Sequence, residues 1–296
     1  MSAQSSTVTL PSSAVRPSPL TLPGVARRTG LYVVLAVWLA AILGPYVVML
    51  LTSLTPSSQL AAAGASLWPG EVTTDAYREL LGSTPFLTYL RNSLLVAAVA
   101  VPLALVCASG AAIALSRFEF VGRQFFMTAV LVAQLLPAVL LVISLQGQLR
   151  VLNLLDNVLG LALVHAAFAT PFATWLLKGF LDSIPRELEE SGRIDGATSW
   201  QVVRMILLPL LAPGMVAAGT YIFILSWNEF LYALTFMQST STRTLPIGLH
   251  LFIGEYQIRW DLLTAGGVLA VLPVIAGFLI VQKRLVAGLA AGAVKG

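Results

Sequence analysis

Apolar residues run along this chain in long blocks, and short polar or charged stretches separate them. Six blocks contain no Asp, Glu, Lys or Arg: Leu31–Ser53, Asn92–Ser116, Gln124–Leu149, Asn157–Leu177, Met205–Asn228 and Leu262–Gln282. A helix that crosses a bilayer takes about 20 apolar residues, so each block is long enough to span. The pattern predicts an all-α polytopic membrane protein with six transmembrane helices. Pro102, Pro137, Pro171, Pro209, Pro213 and Pro273 fall inside the blocks. Membrane helices tolerate proline because neighbouring helices satisfy the freed carbonyls, so these positions read as kinks or hinges.

The N-terminal segment "MSAQSSTVTLPSSAVRPSPLTLPGVARR" is rich in Ser, Thr and Pro and has little to pack, which predicts a disordered tail over 1–29. The transmembrane domain then covers 30–296. "LAAAGAS" at 60–66 resembles a signal-peptide cleavage site. The preceding apolar run exceeds the 7–15 residues of a signal-peptide core, so it is expected to stay as the first span.

Composition agrees with lipid as the solvent. The 296 residues are 57% hydrophobic and 10% charged, with mean hydropathy +0.87, against roughly 25% charged in soluble domains. Cys107, the single cysteine, excludes a disulfide framework. The net charge of +4 fits loops facing anionic lipid, and no nucleic-acid motif is present. Six spans place twelve Lys and Arg on the side of the termini and five on the other. That asymmetry predicts both termini in the cytoplasm.

One internal segment gathers charge. Residues 178–204 hold nine of the thirty charged residues, beginning at Lys178 and ending at Arg204. Ser183-Ile184-Pro185 can start a helix, with proline in the first turn and Glu187, Glu189 and Glu190 at the positive end of the dipole. Leu181, Ile184 and Leu188 would form its apolar face. Asp195-Gly196 is a turn signal. Thr198 with Gln201 has capping-box spacing, and Val202, Val203, Ile206 and Leu207 give the second helix an apolar side. The expectation is a rigid helix–turn–helix, over about 182–209, between spans four and five. It is either a lid on its own spans or a docking element for a cytoplasmic partner.

This loop resembles the EAA loop of binding-protein-dependent ABC importer permeases, whose pattern is E-A-A-x-x-D-G-A, a spacer, then I-x-L-P. Here it reads Glu190-Ser191-Gly192-Arg193-Ile194-Asp195-Gly196-Ala197, then Ile206-Leu207-Leu208-Pro209 and Pro213. Ser191 and Gly192 replace the two alanines. "LRNSLLVA" at 90–97, "ALSRFEFVGR" at 114–123, "TPFATWLLKGFLDSIP" at 170–185, "SWNEFLYAL" at 226–234 and the final "RLVAGLAAGAVKG" are similar to the carbohydrate-uptake branch. Within it the chain looks most like the second permease of maltose- and glycerol-3-phosphate-type importers.

The resemblance implies a type I importer fold and a transport subunit rather than an enzyme. It implies as partners a second, related permease, two ATPase subunits and an extracytoplasmic solute-binding protein. No cofactor would sit on this chain, since ATP and Mg would be held by the ATPase subunits. Glu190, Ser191, Gly192, Asp195, Gly196 and Ala197 would form the coupling loop that seats in an ATPase groove. The transported solute would be a sugar or oligosaccharide.

Other polar residues stand out more weakly. His165, in the fourth block, reads as a proton relay or as a helix–helix hydrogen bond; the absence of an acidic residue from every block favours the second. Gln134, Trp227, Asn228 and Glu229 combine an aromatic face with hydrogen-bonding groups, as sugar sites do, and are candidates for the solute path. Glu189 and Glu190 are neighbours on a helix, so they point to different sides and cannot act as a glycosidase pair. They read as a solvated or docking face. No Walker A pattern and no metal-ligand spacing occurs. The competing function is an ion-coupled secondary transporter, which would use intramembrane carboxylates and internal repeats. Neither is visible in this sequence.

Overall fold

The computed structural model describes residues 24–62, 70–135, 137–254 and 256–293. Most of the expected tail, and most of the cleavage-like stretch at 60–66, lie outside them. Among the described residues the secondary structure is helical, apart from one isolated bridge between Ile253 and Ile258. The chain divides into two compact units, Met1–Val47 and Val48–Gly296. In the first, residues 24–47 belong to α1 (Gly24–Ser53). Apolar side chains from Leu31 to Val47 are exposed on every side of that helix, as suits a helix whose solvent is lipid or a partner.

The second unit continues from the end of α1 through α2 (Ser57–Ala62), α3 (Asp75–Ser83), α4 (Phe86–Arg117), α5 (Arg123–Ala133), α6 (Ala138–Val151) and α7 (Val158–Asp182). After α7 come α8 (Glu187–Ile194) and α9 (Ser199–Val202), a π-helical turn Val203–Leu207, then α10 (Leu208–Asn228). It closes with α11 (Leu231–Phe236), α12 (Leu245–His250) and α13 (Trp260–Ala293).

The core is built where α4, α7 and α10 pack against one another. Small side chains allow this. Ala100, Ala104, Ala108 and Ala112 recur every fourth residue on one face of α4, all fully buried. Ala162, Ala166, Ala169 and Ala173, at spacings of four, three and four, are likewise buried along one face of α7. In lipid no hydrophobic force draws apolar helices together, so close backbone approach across small residues supplies the attraction. Larger side chains, Leu177, Leu181, Leu207, Leu211 and Ile222, close the core toward its ends and its α10 side.

Five helices among the described residues are long and apolar enough to cross a membrane: Arg28–Ser53, Phe86–Arg117, Val158–Asp182, Ser199–Asn228 and Trp260–Gln282. The third apolar block, Gln124–Leu149, is not one helix. It breaks into α5 and α6 around Leu135 and Pro137. Pro137, which has no backbone donor, stands at the break as the N-cap of α6, with extended backbone at ψ 123°.

The end of the bundle opposite the charged loop is tied by polar contacts. Asp156 accepts the backbone N–H groups of Gln238 (2.9 Å) and Ser239 (3.1 Å), and the hydroxyls of Ser239 and Thr242. Burial pushes the Asp156 carboxyl up, but these four donors outweigh it and hold it below the usual aspartate value. Asn92 donates to the carbonyls of Ser241 and Arg243, and Ser93 accepts from the Leu245 amide. Arg259 bridges Glu79 and Asp261 and so fastens α3 to the start of α13.

Candidate functional site

The charged segment folds into a small helical knob at one end of the bundle. α8 ends in a Schellman motif: the Ala197 N–H donates to the Gly192 carbonyl, and the Gly196 N–H to the Arg193 carbonyl, each at 3.0 Å. Gly196 closes it at φ +86°, in the left-handed region that side chains with a Cβ disfavour. The next helix opens with a full capping box. Thr198 N–H donates to Gln201 Oε1 (2.7 Å), and Gln201 N–H donates to Thr198 Oγ1 (3.3 Å). The turn between the knob's two helices is thus closed on one side by backbone bonds and on the other by the Thr198 and Gln201 side chains.

Of the six coupling-loop candidates, Glu190, Ser191, Asp195 and Gly196 are exposed, while Gly192 and Ala197 are half-buried. Around them Ile194 (86% exposed) and Trp200 (67%) present apolar surface, as do Leu188 and Met205. Exposed apolar groups rimmed by charge mark a protein-binding surface.

Gly192 has a local reason to lack a side chain. A Cβ there would stand 2.5 Å from Ile206 Cδ1, in the π-helical turn that brings the second helix against α8. Ile206→Val removes that methyl and alone should cost about 1 kcal/mol. Gly192→Ala alone should be near neutral, its gain in helix propensity of about 1 kcal/mol offset by the clash. The double variant should be at least as stable as the parent in detergent thermal unfolding. Strict additivity of the two changes would mean that this contact does not select glycine.

Two expectations for the loop are corrected. The first helix starts at Glu187, not at Ser183; Leu181 ends α7 instead, and Leu188 is exposed, so the predicted apolar face does not form. Glu189 is not on a solvated or docking face. It is 7% exposed and ion-paired with Arg117, and only Glu190 faces outward.

Arg117, which the sequence marked only as a loop cation, sits at the C-terminus of α4. Its Nη2 donates to the carbonyls of Leu181 (3.0 Å) and Ile184 (3.2 Å), and its Nη1 to Ser116 Oγ (2.9 Å). The Nε edge faces Glu189 as an ion pair outside hydrogen-bond geometry. Ser116 in turn donates to Asp182 (2.6 Å), which also pairs with Lys178. One guanidinium therefore joins the ends of three helices, α4, α7 and α8.

The four solute-path candidates are not brought together. Trp227 is buried, stacked on Phe223 at 5.4 Å and packed with Phe86, Leu245 and Leu262. Asn228 donates to the carbonyl of Ile224 in its own helix, and Gln134 to that of Phe168 on α7. Glu229 turns inward. It accepts the N–H groups of Tyr232 (2.7 Å) and Ala233 (3.0 Å) at the start of α11, and meets His165 Nε2 at 3.2 Å. His165 Nδ1 pairs with Ser226 Oγ at 2.8 Å. His165 thus makes a helix–helix contact, and its acidic partner lies one residue past the fifth apolar block.

A bundle of membrane-spanning helices with a preformed helical knob between two of them is the fold of ABC importer permeases. It matches a chain in the crystal structure of a bacterial ABC transporter involved in the import of the acidic polysaccharide alginate. The TM-score is 0.75 at 23% identity, over 90% of this chain and 99% of that one. The chain belongs to the family described as binding-protein-dependent transport system inner membrane component, which residues 100–290 match. The sulfoquinovosyl glycerol transport system permease protein SmoH of Agrobacterium fabrum is 34% identical, over 85% of this chain and 88% of its own. The diacetylchitobiose uptake system permease protein DasC of Streptomyces coelicolor is 33% identical, over 84% and 90%. The trehalose transport system permease protein SugB of Mycobacterium tuberculosis is 36% identical, over 82% and 89%.

Proposed function

We propose that this permease carries a carbohydrate or glycoside across the bacterial plasma membrane, with both termini and the knob in the cytoplasm. It works with a second, related permease, two ATPase subunits that hold ATP and Mg, and an extracytoplasmic solute-binding protein. The solute class rests on the relatives, whose named cargoes are a sulfoquinovosyl glycerol, a chitobiose derivative and trehalose. The exposed apolar faces of α1 and of α13 beyond Leu272 suit lipid and a sister permease.

The single observation that carries the coupling role is the knob itself. A segment closed by a Schellman motif and a capping box, yet exposing Ile194 and Trp200, is shaped to be gripped. Closure of the ATPase pair would then move the knob and bias the spans between inward- and outward-facing arrangements.

A photo-crosslinking amino acid at Ile194 or Trp200, in the assembled complex, tests this. Both positions should yield an adduct containing Walker A peptides by mass spectrometry. Tyr256, equally exposed at the other end of the bundle, should yield none. ATPase adducts from Tyr256 and not from the knob would overturn the assignment. Uptake of labelled trehalose, maltose and diacetylchitobiose by the same complex in proteoliposomes tests the solute class.

A further inference from the structure

We propose that Arg117 is the positioning residue through which movement of the knob reaches α4, so that α4, α7 and α8 travel as one body. The proposal rests on the docking role of the knob. By chain connectivity alone, the knob is joined only to α7 before it and α10 after it. α4 packs along both of these helices, but its alanine face is smooth and can slide. What pins it lengthwise is the guanidinium at its C-terminus. Arg117 is the last residue of α4, and it grips the carbonyls that close α7 and the carboxylate of Glu189 in the first turn of α8.

The side chains of Arg117 and Glu189 are 9% and 10% exposed. The charge pair is withdrawn from water, and the two carbonyl bonds of Nη2 give the guanidinium a fixed orientation that Nε–Glu189 attraction alone would not. Two further contacts follow the same line: Ser116 Oγ donates to Asp182, and Arg186 Nη2 reaches the Ser116 carbonyl at 3.4 Å. The end of α4 is thus bound to the segment on both sides of the knob's entrance. A pull on α8 is delivered to α4 at a fixed point instead of dissipating in the 183–186 turn.

The test uses the assembled transporter with spin labels at Ile194→Cys on the knob and Val106→Cys on the exposed face of α4, in a Cys107→Ser background. Distances are read by pulsed electron spin resonance without nucleotide and after ATP–vanadate trapping. With Arg117 intact, the knob-to-α4 distance should stay narrow and unchanged in both states. With Arg117→Ala, the nucleotide-free distance should keep its centre, since the capping box and Schellman motif still shape the knob. On trapping, it should shift and widen at least about twofold as the knob moves without α4. Arg117→Lys, which keeps the charge but not the fork, should fall between. Two results overturn the proposal alone: Arg117→Ala distances that match the parent in both states, or a knob already displaced before nucleotide is added. If the knob of the parent complex fails to contact or follow the ATPase, the docking role fails and this inference with it.

Discussion

Gly196→Val is expected to leave the chain inserted and stop energised uptake. Gly196 occupies the left-handed position of the Schellman motif, at φ +86°. A residue with a Cβ pays about 1–2 kcal/mol there, and a β-branched one more. Each 1.4 kcal/mol is tenfold in the population of the correct turn, so uptake should fall about tenfold or further. The knob is outside the core, so membrane insertion and the amount of chain recovered should not change. Gly196→Asn separates two reasons for the glycine. Asparagine tolerates the left-handed region, and nothing within 4 Å in this chain opposes a Cβ at this site. If conformation alone selects glycine, Gly196→Asn should retain most uptake while Gly196→Val does not. If the partner's backbone packs directly on this position, both should fail. Normal uptake by Gly196→Val would remove Gly196 from the coupling machinery.

The knob was legible in the sequence to the extent that its determinants are local. Asp195-Gly196 announced the turn, and the Thr198–Gln201 spacing announced the cap; the structure has both. Where the helix began was less legible. A proline at 185 can open a helix, but Ser183 and Ile184 still bond back to α7, and the new helix waits until Glu187. Glu189 and Glu190 differ by one step of about 100°, so one had to face inward. Only the arrival of Arg117, 72 residues earlier in the chain, decides which. The π-helical turn at Val203–Leu207 has no signature of its own in the sequence; in the structure it packs on α8, with Ile206 against Gly192. The alanines at helical spacing in α4 and α7 were readable, but in so glycine- and alanine-rich a chain their spacing stands out only once the helices are seen packed. The third apolar block breaks at Pro137 while Pro102, Pro171, Pro213 and Pro273 sit inside continuous helices, a difference that neither hydropathy nor the prolines themselves reveal.

Glu229→Ala is expected to destabilise the protein by about 2–4 kcal/mol. The carboxylate closes two otherwise orphan amides at the start of α11, Tyr232 and Ala233, and takes the third contact from His165, which is 2% exposed. Removing it frees the first turn of a six-residue helix that carries the stack of Tyr232 on Phe168 and Phe236. Glu229→Gln should cost less, about 1–2 kcal/mol, since its carbonyl oxygen can still accept an amide while its NH₂ meets another donor. His165→Gln should cost about 1–2 kcal/mol. In the double variant the two losses should overlap by about 1 kcal/mol, because both remove the same contact. Unfolding in detergent measures all four. Uptake then separates the two roles open to His165. A relay needs a group that passes its proton onward, but the cluster ends in two backbone amides and the Ser226 hydroxyl. Amides hold their protons, and among the described residues the Ser226 hydroxyl bonds only to His165, so neither end leads a proton onward and His165→Gln should keep uptake in proportion to the folded fraction. Complete loss of uptake at unchanged stability would instead make His165 part of transport, and would revive ion coupling as a reading of this chain.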